Sequence, residues 1–145
     1  MTGPAEMSPL LIDPTALSVR DTGPWLLSAL GVLPAAEAAA VAARLELAVH
    51  EVGMNVVDHA NLGAGQKIRF DIDIVTSRVT VTVTDRGDSF DVTGVPDPVS
   101  GIPQIRGYGL MIVRKLVDDL DYRRVGEDNR LTLRIDRSTT EESTP

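Results

Sequence analysis

The spacing of hydrophobic positions changes along the chain from a helical to a strand-like period. The first half contains an apolar stripe whose members recur every three or four residues: Leu45, Val49, Val52 and Val56. That spacing is typical of one face of an α-helix packed on a core. From Lys67 onward, apolar and polar residues alternate, which predicts strands with one buried and one solvated face.

These patterns, with their capping residues and turns, predict an α+β two-layer sandwich with helices on one face of a mixed, mostly antiparallel sheet. The expected elements, in chain order, are a short helix from Asp21 to Gly31, a long helix of roughly 25 residues from Pro34 to Ala60, strands at 68–74 and 79–84, a helix from Leu110 to Leu120, and strands at 122–125 and 131–135. Residues 10–19 are expected to be irregular or to begin with a short edge strand that Pro14 ends.

Composition narrows the function classes. The 145 residues fit one domain, expected at 10–137, with disordered tails at 1–9 and 138–145. The absence of cysteine excludes disulfides and thiolate metal sites, and no apolar run is long enough to span a membrane, so we expect a cytoplasmic protein. A net charge of −7 and only 3% aromatic residues disfavour nucleic-acid binding.

The long predicted helix also carries a polar edge. Glu51, Asn55 and His59 follow at intervals of four, and Asp58 lies about two turns after Glu51. Polar groups facing a core are costly, so this edge faces either water or a ligand. Gly53, in the middle of the same helix, is expected to permit close approach of another backbone or of a ligand.

Two glycine-containing turns are further candidates. Asp85-x-Gly87 follows a predicted strand, and Gly107-x-Gly109 precedes a predicted helix. Taken singly, the first is common turn chemistry and the second is either a tight turn or a phosphate cradle. The order and spacing of these two turns after the polar helix indicate that the three segments could meet over one pocket. The segment between Phe90 and Arg106 is long, rich in proline and glycine, and expected to act as a lid.

That order resembles the ATP-binding fold shared by gyrase-type topoisomerases, heat-shock chaperones, histidine kinases and mismatch-repair ATPases, the GHKL superfamily. The Glu51-x-x-x-Asn55 pair looks like its N box, and the two glycine turns look like its glycine boxes. The helix motif around Glu46 to Ala60 and the ending Tyr122-x-x-x-Gly-x-x-Asn129 are most similar to anti-sigma-factor serine/threonine kinases. The resemblance covers roughly residues 25–135.

The resemblance implies a Mg-ATP site and a role for each matching residue. The implied nucleotide-binding residues are Asn55, Asp85, Gly87, Arg106, Gly107, Gly109 and Leu110, with Glu51 as the catalytic base. Asn55 would be the magnesium ligand, since Mg²⁺ keeps several waters and takes phosphate oxygens. Asp85 would accept a hydrogen bond from the adenine amino group, and Gly87 would let the backbone approach the base. The start of the last helix and Arg106 would face the phosphates.

Some positions depart from the pattern. Asp88 and Ser89 stand where the first glycine box typically has a glycine or proline, so we expect a less open pocket floor. The expected lid has Arg106 as its one basic residue, so phosphate neutralisation would depend on magnesium, the helix terminus and that arginine. His59 is expected to be a hydrogen-bonding residue at the helix end rather than a metal ligand.

The function implied is a serine/threonine kinase that phosphorylates a small anti-sigma-factor antagonist protein and separately binds a sigma factor. Three alternatives remain open: a switch kinase of the same family that binds no sigma factor, a non-catalytic nucleotide-binding regulatory module, and a free-standing ATPase. The resemblance also implies a homodimer formed through the amino-terminal part. Leu10 to Ile12 and Trp25 would then be dimer contacts, or they close the core of the monomer.

Overall fold

The computed structural model describes residues 7–89 and 105–137. The helices and strands are, in chain order, β1 (Leu10–Ile12), α1 (Ala16–Val19), α2 (Thr22–Leu30), α3 (Ala35–His59), β2 (Ile68–Ile74), β3 (Arg78–Asp85), α4 (Ile105–Leu116), β4 (Asp119–Val125) and β5 (Asp128–Asp136). Within these residues, no helix combines the length and the hydropathy needed to cross a bilayer.

The sheet has five strands in the order β1-β2-β3-β5-β4, and its pairings are all antiparallel. The parallel pair of the expected mixed sheet is therefore absent from the described residues. β1 confirms the short edge strand, and α1 is an element that the sequence pattern did not predict. Thr15 caps α1, with its hydroxyl oxygen accepting a hydrogen bond from the Ser18 N–H at 3.1 Å.

The helices cover one face of this sheet and the core lies between the two layers, as the two-layer prediction requires. The inward residues of the central strand β3 are Val79, Val81 and Val83, each at most 1% exposed. Helix α3 contributes the predicted apolar stripe, of which Leu45, Val49 and Val52 are buried. Trp25 packs at the edge of the core against Phe70, and its indole N–H donates to the Ser8 carbonyl at 3.1 Å.

Helix α3 has the predicted length of 25 residues and stops where expected. Asn61 follows its last turn with φ 55°, a left-handed conformation that asparagine adopts more readily than most residues. Gly53 serves neither of the purposes expected of it. A Cβ there would lie 3.0 Å from Cγ1 of Val19 and 3.5 Å from the Phe70 ring, so the glycine makes room for side chains of α1 and β2.

Asp118 joins three elements at the end of α4. Its carboxylate accepts hydrogen bonds from the Asp136 backbone N–H at 2.7 Å and from the Arg44 guanidinium at 3.1 Å. Both hydrogen bonds lower the pKa of Asp118 below the usual aspartate range, and the bond from the Asp136 N–H has the larger effect. Because the folded pKa lies below the unfolded one, this carboxylate stabilises the protein above the ordinary aspartate range, and its contribution disappears as the pH falls through the lowered value.

We therefore expect Asp118→Asn to lower the free energy of unfolding at neutral pH by about 1 kcal/mol, and to have a much smaller effect near pH 3. Urea unfolding of both proteins at the two pH values measures this. Asp121→Asn is the matched control, since it removes the Asp121 carboxylate from an exposed ion pair with Arg123. If Asp118→Asn lowered the free energy of unfolding equally at both pH values, the charge of the Asp118 carboxylate would not contribute to stability.

Candidate functional site

A pocket opens where the carboxyl-terminal half of α3 meets the end of β3 and the described part of α4. It encloses about 450 Å³, including the part that is open to solvent. Its lining residues are Val52, Asn55, Val56, His59, Ala60, Val83, Asp85, Asp88, Leu110, Tyr122, Asn129 and Leu131. Asn55, Asp85 and Leu110, which the sequence assigned to the nucleotide site, are thus brought together.

Asp85 occupies the last inward-facing position of β3, in line with Val79, Val81 and Val83. It is 6% exposed, which is unusual for a carboxylate on a core face. Its Oδ1 accepts hydrogen bonds from the Gly87 N–H at 2.7 Å and from the Asn129 amide at 2.8 Å. No hydrogen bond to Oδ2 is found among the described residues, so this oxygen is available to a ligand in the pocket.

Asn129 is a member of the site for which the sequence predicts no role, although it ends the motif that begins at Tyr122. It is 4% exposed and donates from Nδ2 to the carboxylate of Asp85 and to the carbonyls of Gly87 and Asp88. The signal that could have found it is the alternation along β5. Asn129 shares the inward face with Leu131, Leu133 and Ile135, so a polar side chain stands where an apolar one is the rule.

Two residues of β4 complete the hydrogen bonding of Asn129. The Tyr122 hydroxyl donates to its Oδ1 at 2.6 Å, and the Arg124 guanidinium donates to the same oxygen at 2.9 Å. Arg124 also donates to the Gly87 carbonyl at 2.7 Å. The β4–β5 hairpin therefore holds the turn that follows Asp85.

Asn55 is oriented by its own helix. Its side-chain Nδ2 donates to the Glu51 carbonyl at 2.8 Å, one turn earlier, and only the nitrogen of an amide can make that bond. The carbonyl end, Oδ1, is therefore the atom that remains for a ligand. An uncharged oxygen of this kind suits Mg²⁺ that also takes water and phosphate oxygens. The part of the chain that is described contains no group of three or more histidine or acidic side chains that could hold a metal by itself.

The other predicted residues of α3 are divided between the pocket and its surroundings. Glu51 is half-buried, one turn before Asn55, and is not among the residues that line the pocket. Its assignment as the catalytic base stays a prediction. His59, in the last turn of α3, does line the pocket.

Gly87 is required for a reason different from the predicted one. A Cβ at this position would lie 2.2 Å from the Ala60 carbonyl oxygen and 2.5 Å from the Ala60 Cβ. The glycine therefore lets the turn pack against the end of α3, and Gly87 itself does not line the pocket. Approach of the backbone to a base, the predicted reason, has no support in this contact.

Asp88, one of the departures from the glycine-box pattern, stands at the pocket and fastens the turn to α3. Its N–H donates to the Ala60 carbonyl at 2.8 Å, and its carboxylate accepts from the Asn61 amide at 2.7 Å. An acidic side chain thus stands at the pocket wall.

Helix α4 begins earlier than predicted. Its first residue is Ile105, so Gly107 and Gly109 lie inside the helix rather than in a turn before it. Residues 106–109 have a helical backbone, although two of them are glycines and glycine is a weak helix former. Leu110 is 1% exposed and lines the pocket. The predicted lid lies almost wholly at 90–104, outside the described residues.

The comparisons with known proteins agree with this geometry. Residues 26–135 match the model of a family described as the histidine kinase-like ATPase domain. No curated protein matches the chain significantly.

Solved structures with similar folds include the RsbU and RsbW domains of Rv1364c from Mycobacterium tuberculosis, at 20% identity and a TM-score of 0.56, covering 90% of this chain and 33% of that one. A histidine kinase domain from the blue-light activated histidine kinase EL346 of Erythrobacter litoralis matches at 22% identity with a TM-score of 0.55, covering 82% and 62%. This chain thus spans about a third of the first protein and under two thirds of the second. At these identities the likeness shows the fold.

The antiparallel sheet under its layer of helices is the GHKL-type fold, and the pocket lies between the two layers, with Asn55 on a helix and Asp85 at the end of a strand. The family match extends over most of the described chain, and this type of domain binds ATP. The chain therefore belongs to the histidine kinase-like ATPase domain family.

Proposed function

We propose that this domain is a Mg-ATP-dependent serine/threonine protein kinase that phosphorylates a small anti-sigma-factor antagonist protein and separately binds a sigma factor. The observation that carries the nucleotide part is the pairing of two oriented groups in one pocket. Asp85 presents Oδ2 and Asn55 presents Oδ1, and each is fixed by hydrogen bonds through its other end.

The two groups differ in chemistry, as the two ends of a nucleotide do. A carboxylate oxygen accepts a hydrogen bond, which suits the amino group of adenine. The Asn55 oxygen suits the magnesium ion that accompanies the phosphates, and the bound ion would neutralise charge on them during transfer. In an acidic protein, a neutral ligand adds no further negative charge beside the triphosphate.

Glu51 is the proposed base of the phosphoryl transfer. It would accept the proton of the acceptor serine hydroxyl while that oxygen bonds to the γ-phosphorus. The bond from the γ-phosphorus to the bridging oxygen breaks, and ADP leaves with that oxygen. The backbone carbonyl of Glu51 itself accepts the hydrogen bond from the Asn55 amide, so the proposed base and metal ligand lie one turn apart on the same helix.

The proposed protein partners are inferred from the resemblance of sequence motifs. The helix motif and the Tyr122-to-Asn129 ending resemble anti-sigma-factor kinases, and the fold likeness includes a chain with an RsbW domain. A homodimer through the amino-terminal part belongs to the same proposal. Among the described residues of that part, Leu11 and Leu17 are 56% and 72% exposed and are therefore free to contact a second copy, whereas Ile12 and Trp25 pack in or against the core.

One observation favours a second candidate, a nucleotide-binding regulatory module without catalysis. Glu51 does not line the pocket of the described residues, and Asp88 places an acidic group at its wall. Such a module would bind Mg-ATP and transfer no phosphate.

Incubating the protein with radiolabelled ATP, Mg²⁺ and a small antagonist protein tests the proposal. We expect label on the antagonist, and none when its acceptor serine is alanine. Asp85→Asn is expected to weaken ATP binding about ten- to a hundredfold by calorimetry, because its amide is a poorer acceptor for the base. Asp73→Asn, on the exposed side of β2, is the matched control. ATP binding without transfer would favour the module, and no ATP binding would overturn both candidates.

A further inference from the structure

The contacts around Asp85 form one row across three neighbouring strands. Asp85 of β3 pairs directly with Asn129 of β5, and Asn129 pairs with Arg124 of β4. All three positions are on the inward side of the sheet by the alternation of their strands. The strand register therefore places the Asp85 carboxylate, the Asn129 amide and the Arg124 guanidinium at the same end of the pocket.

The amide of Asn129 has one chemically acceptable orientation in this row. Its Nδ2 faces three acceptors, the Asp85 carboxylate at 2.8 Å, the Asp88 carbonyl at 2.9 Å and the Gly87 carbonyl at 3.2 Å. Its Oδ1 faces two donors, from Tyr122 and Arg124. The reversed amide would place an oxygen against three oxygens, which buried groups do not tolerate.

These bonds occupy Asn129 fully, so it has no donor or acceptor left for a ligand. Their effect passes to Asp85 instead. Oδ1 of Asp85 is held from two sides by Asn129 and by the Gly87 N–H, which fixes the plane of the carboxylate and leaves Oδ2 as the atom that faces a ligand. As an oxygen of a carboxylate, Oδ2 of Asp85 accepts a hydrogen bond from a ligand and does not donate one.

We propose that Asn129, held by Tyr122 and Arg124, is a positioning residue that gives the pocket its preference for a base carrying an amino group over one carrying a carbonyl. This inference rests on the proposed nucleotide function of the pocket. A carbonyl placed against the fixed Oδ2 leaves two acceptors facing each other, and that mismatch is costly in a buried site. Without the Asn129 contact, the Asp85 carboxylate can rotate and no longer presents one fixed oxygen to the base.

Calorimetric titration of the full chain with Mg-ATP and with Mg-GTP tests this. In Asn129→Asp the donor toward Asp85 is replaced by a second carboxylate of the same shape. We expect its affinity for ATP to fall about ten- to a hundredfold, with a smaller change for GTP, so that the ratio of the two affinities drops. Tyr122→Phe removes one donor to Asn129 and is expected to lower the ratio in the same direction by a smaller factor.

Thr22→Val is the matched control for loss of a buried hydrogen bond. Thr22 is 3% exposed and its hydroxyl donates to the Val19 carbonyl at 2.8 Å, in the amino-terminal helices and not in the pocket. We expect a lower melting temperature and an unchanged ATP-to-GTP ratio. If Asn129→Asp does not fold, Tyr122→Phe and Arg124→Met carry the test, since both side chains are at least partly exposed.

The outcomes separate the two proposals. A wild-type protein that prefers ATP, with variants that keep the same preference, overturns the positioning role and leaves the nucleotide pocket standing. Equal weakening for both nucleotides in the variants shows a merely structural residue and also overturns it. A wild-type protein that binds neither nucleotide overturns the proposed function, and this inference with it.

Discussion

Phosphoryl transfer by Glu51→Gln is expected to be about 10²- to 10⁴-fold slower than by the wild type, with ATP affinity nearly unchanged. Glutamine keeps the size of the side chain and removes the carboxylate that would accept the serine proton. Asn55 remains oriented, because it donates to the backbone carbonyl of residue 51 and not to its side chain. Single-turnover transfer to the antagonist, with calorimetry of ATP binding, separates chemistry from affinity.

Glu46→Gln provides the control for this measurement. Glu46 is an exposed acid on the same helix, outside the pocket, so its replacement makes the same chemical change without touching the site. We expect its transfer rate to equal that of the wild type. If Glu51→Gln also transferred phosphate at the wild-type rate, the base would have to be another group and the assignment of Glu51 would be wrong.

Replacing Gly87 with alanine is expected to lower the free energy of unfolding by about 2–4 kcal/mol. The new Cβ would overlap the Ala60 carbonyl oxygen, 2.2 Å away, and this is backbone that cannot move aside cheaply. The shift needed would also weaken the hydrogen bond from the Asp88 N–H to the same oxygen. Urea unfolding monitored by circular dichroism measures the loss.

Gly63→Ala makes the same chemical change in a neighbouring loop, where a Cβ would meet no atom within 4 Å. Its stability is expected to stay within about 0.5 kcal/mol of the wild type. Because Gly87 follows Asp85 and donates to it, Gly87→Ala should also weaken ATP binding, and Gly63→Ala should not. Equal stability of the two variants would mean that the turn is free to move away from α3.

The pocket shows how a local motif and a non-local contact share one site. Asp85 is found from sequence because strand, acid and glycine follow one another. Asn129 hydrogen-bonds to it from another strand, far along the chain, and the pattern of β5 shows only that a polar residue faces inward. The meaning of that residue depends on β5 lying beside β3, which the order of elements along the chain does not state.

The glycines show the same division. Both Gly53 and Gly87 were predicted to be positions of close approach, Gly53 because glycine is costly in the middle of a helix and Gly87 because its turn resembles a nucleotide-binding glycine box. The approaching groups are the Val19 side chain in one case and the Ala60 backbone in the other. Neither could be inferred from spacing, since each contact joins segments from different elements.

The sequence by itself determined the two-layer class, the length and end of α3 and the β2–β3 hairpin. These features depend on the 3.6- and 2-residue periods and on turn and cap residues, which act between near neighbours in the chain. The prediction that Asn55 and Asp85 belong to one site came from the resemblance of their motifs to a known ATP-binding fold. Only the tertiary structure decided the strand order, the start of α4, the reason for Gly87 and the network around Asn129. Those depend on packing and hydrogen bonds between distant segments, and residue spacing carries no information about which distant segments meet.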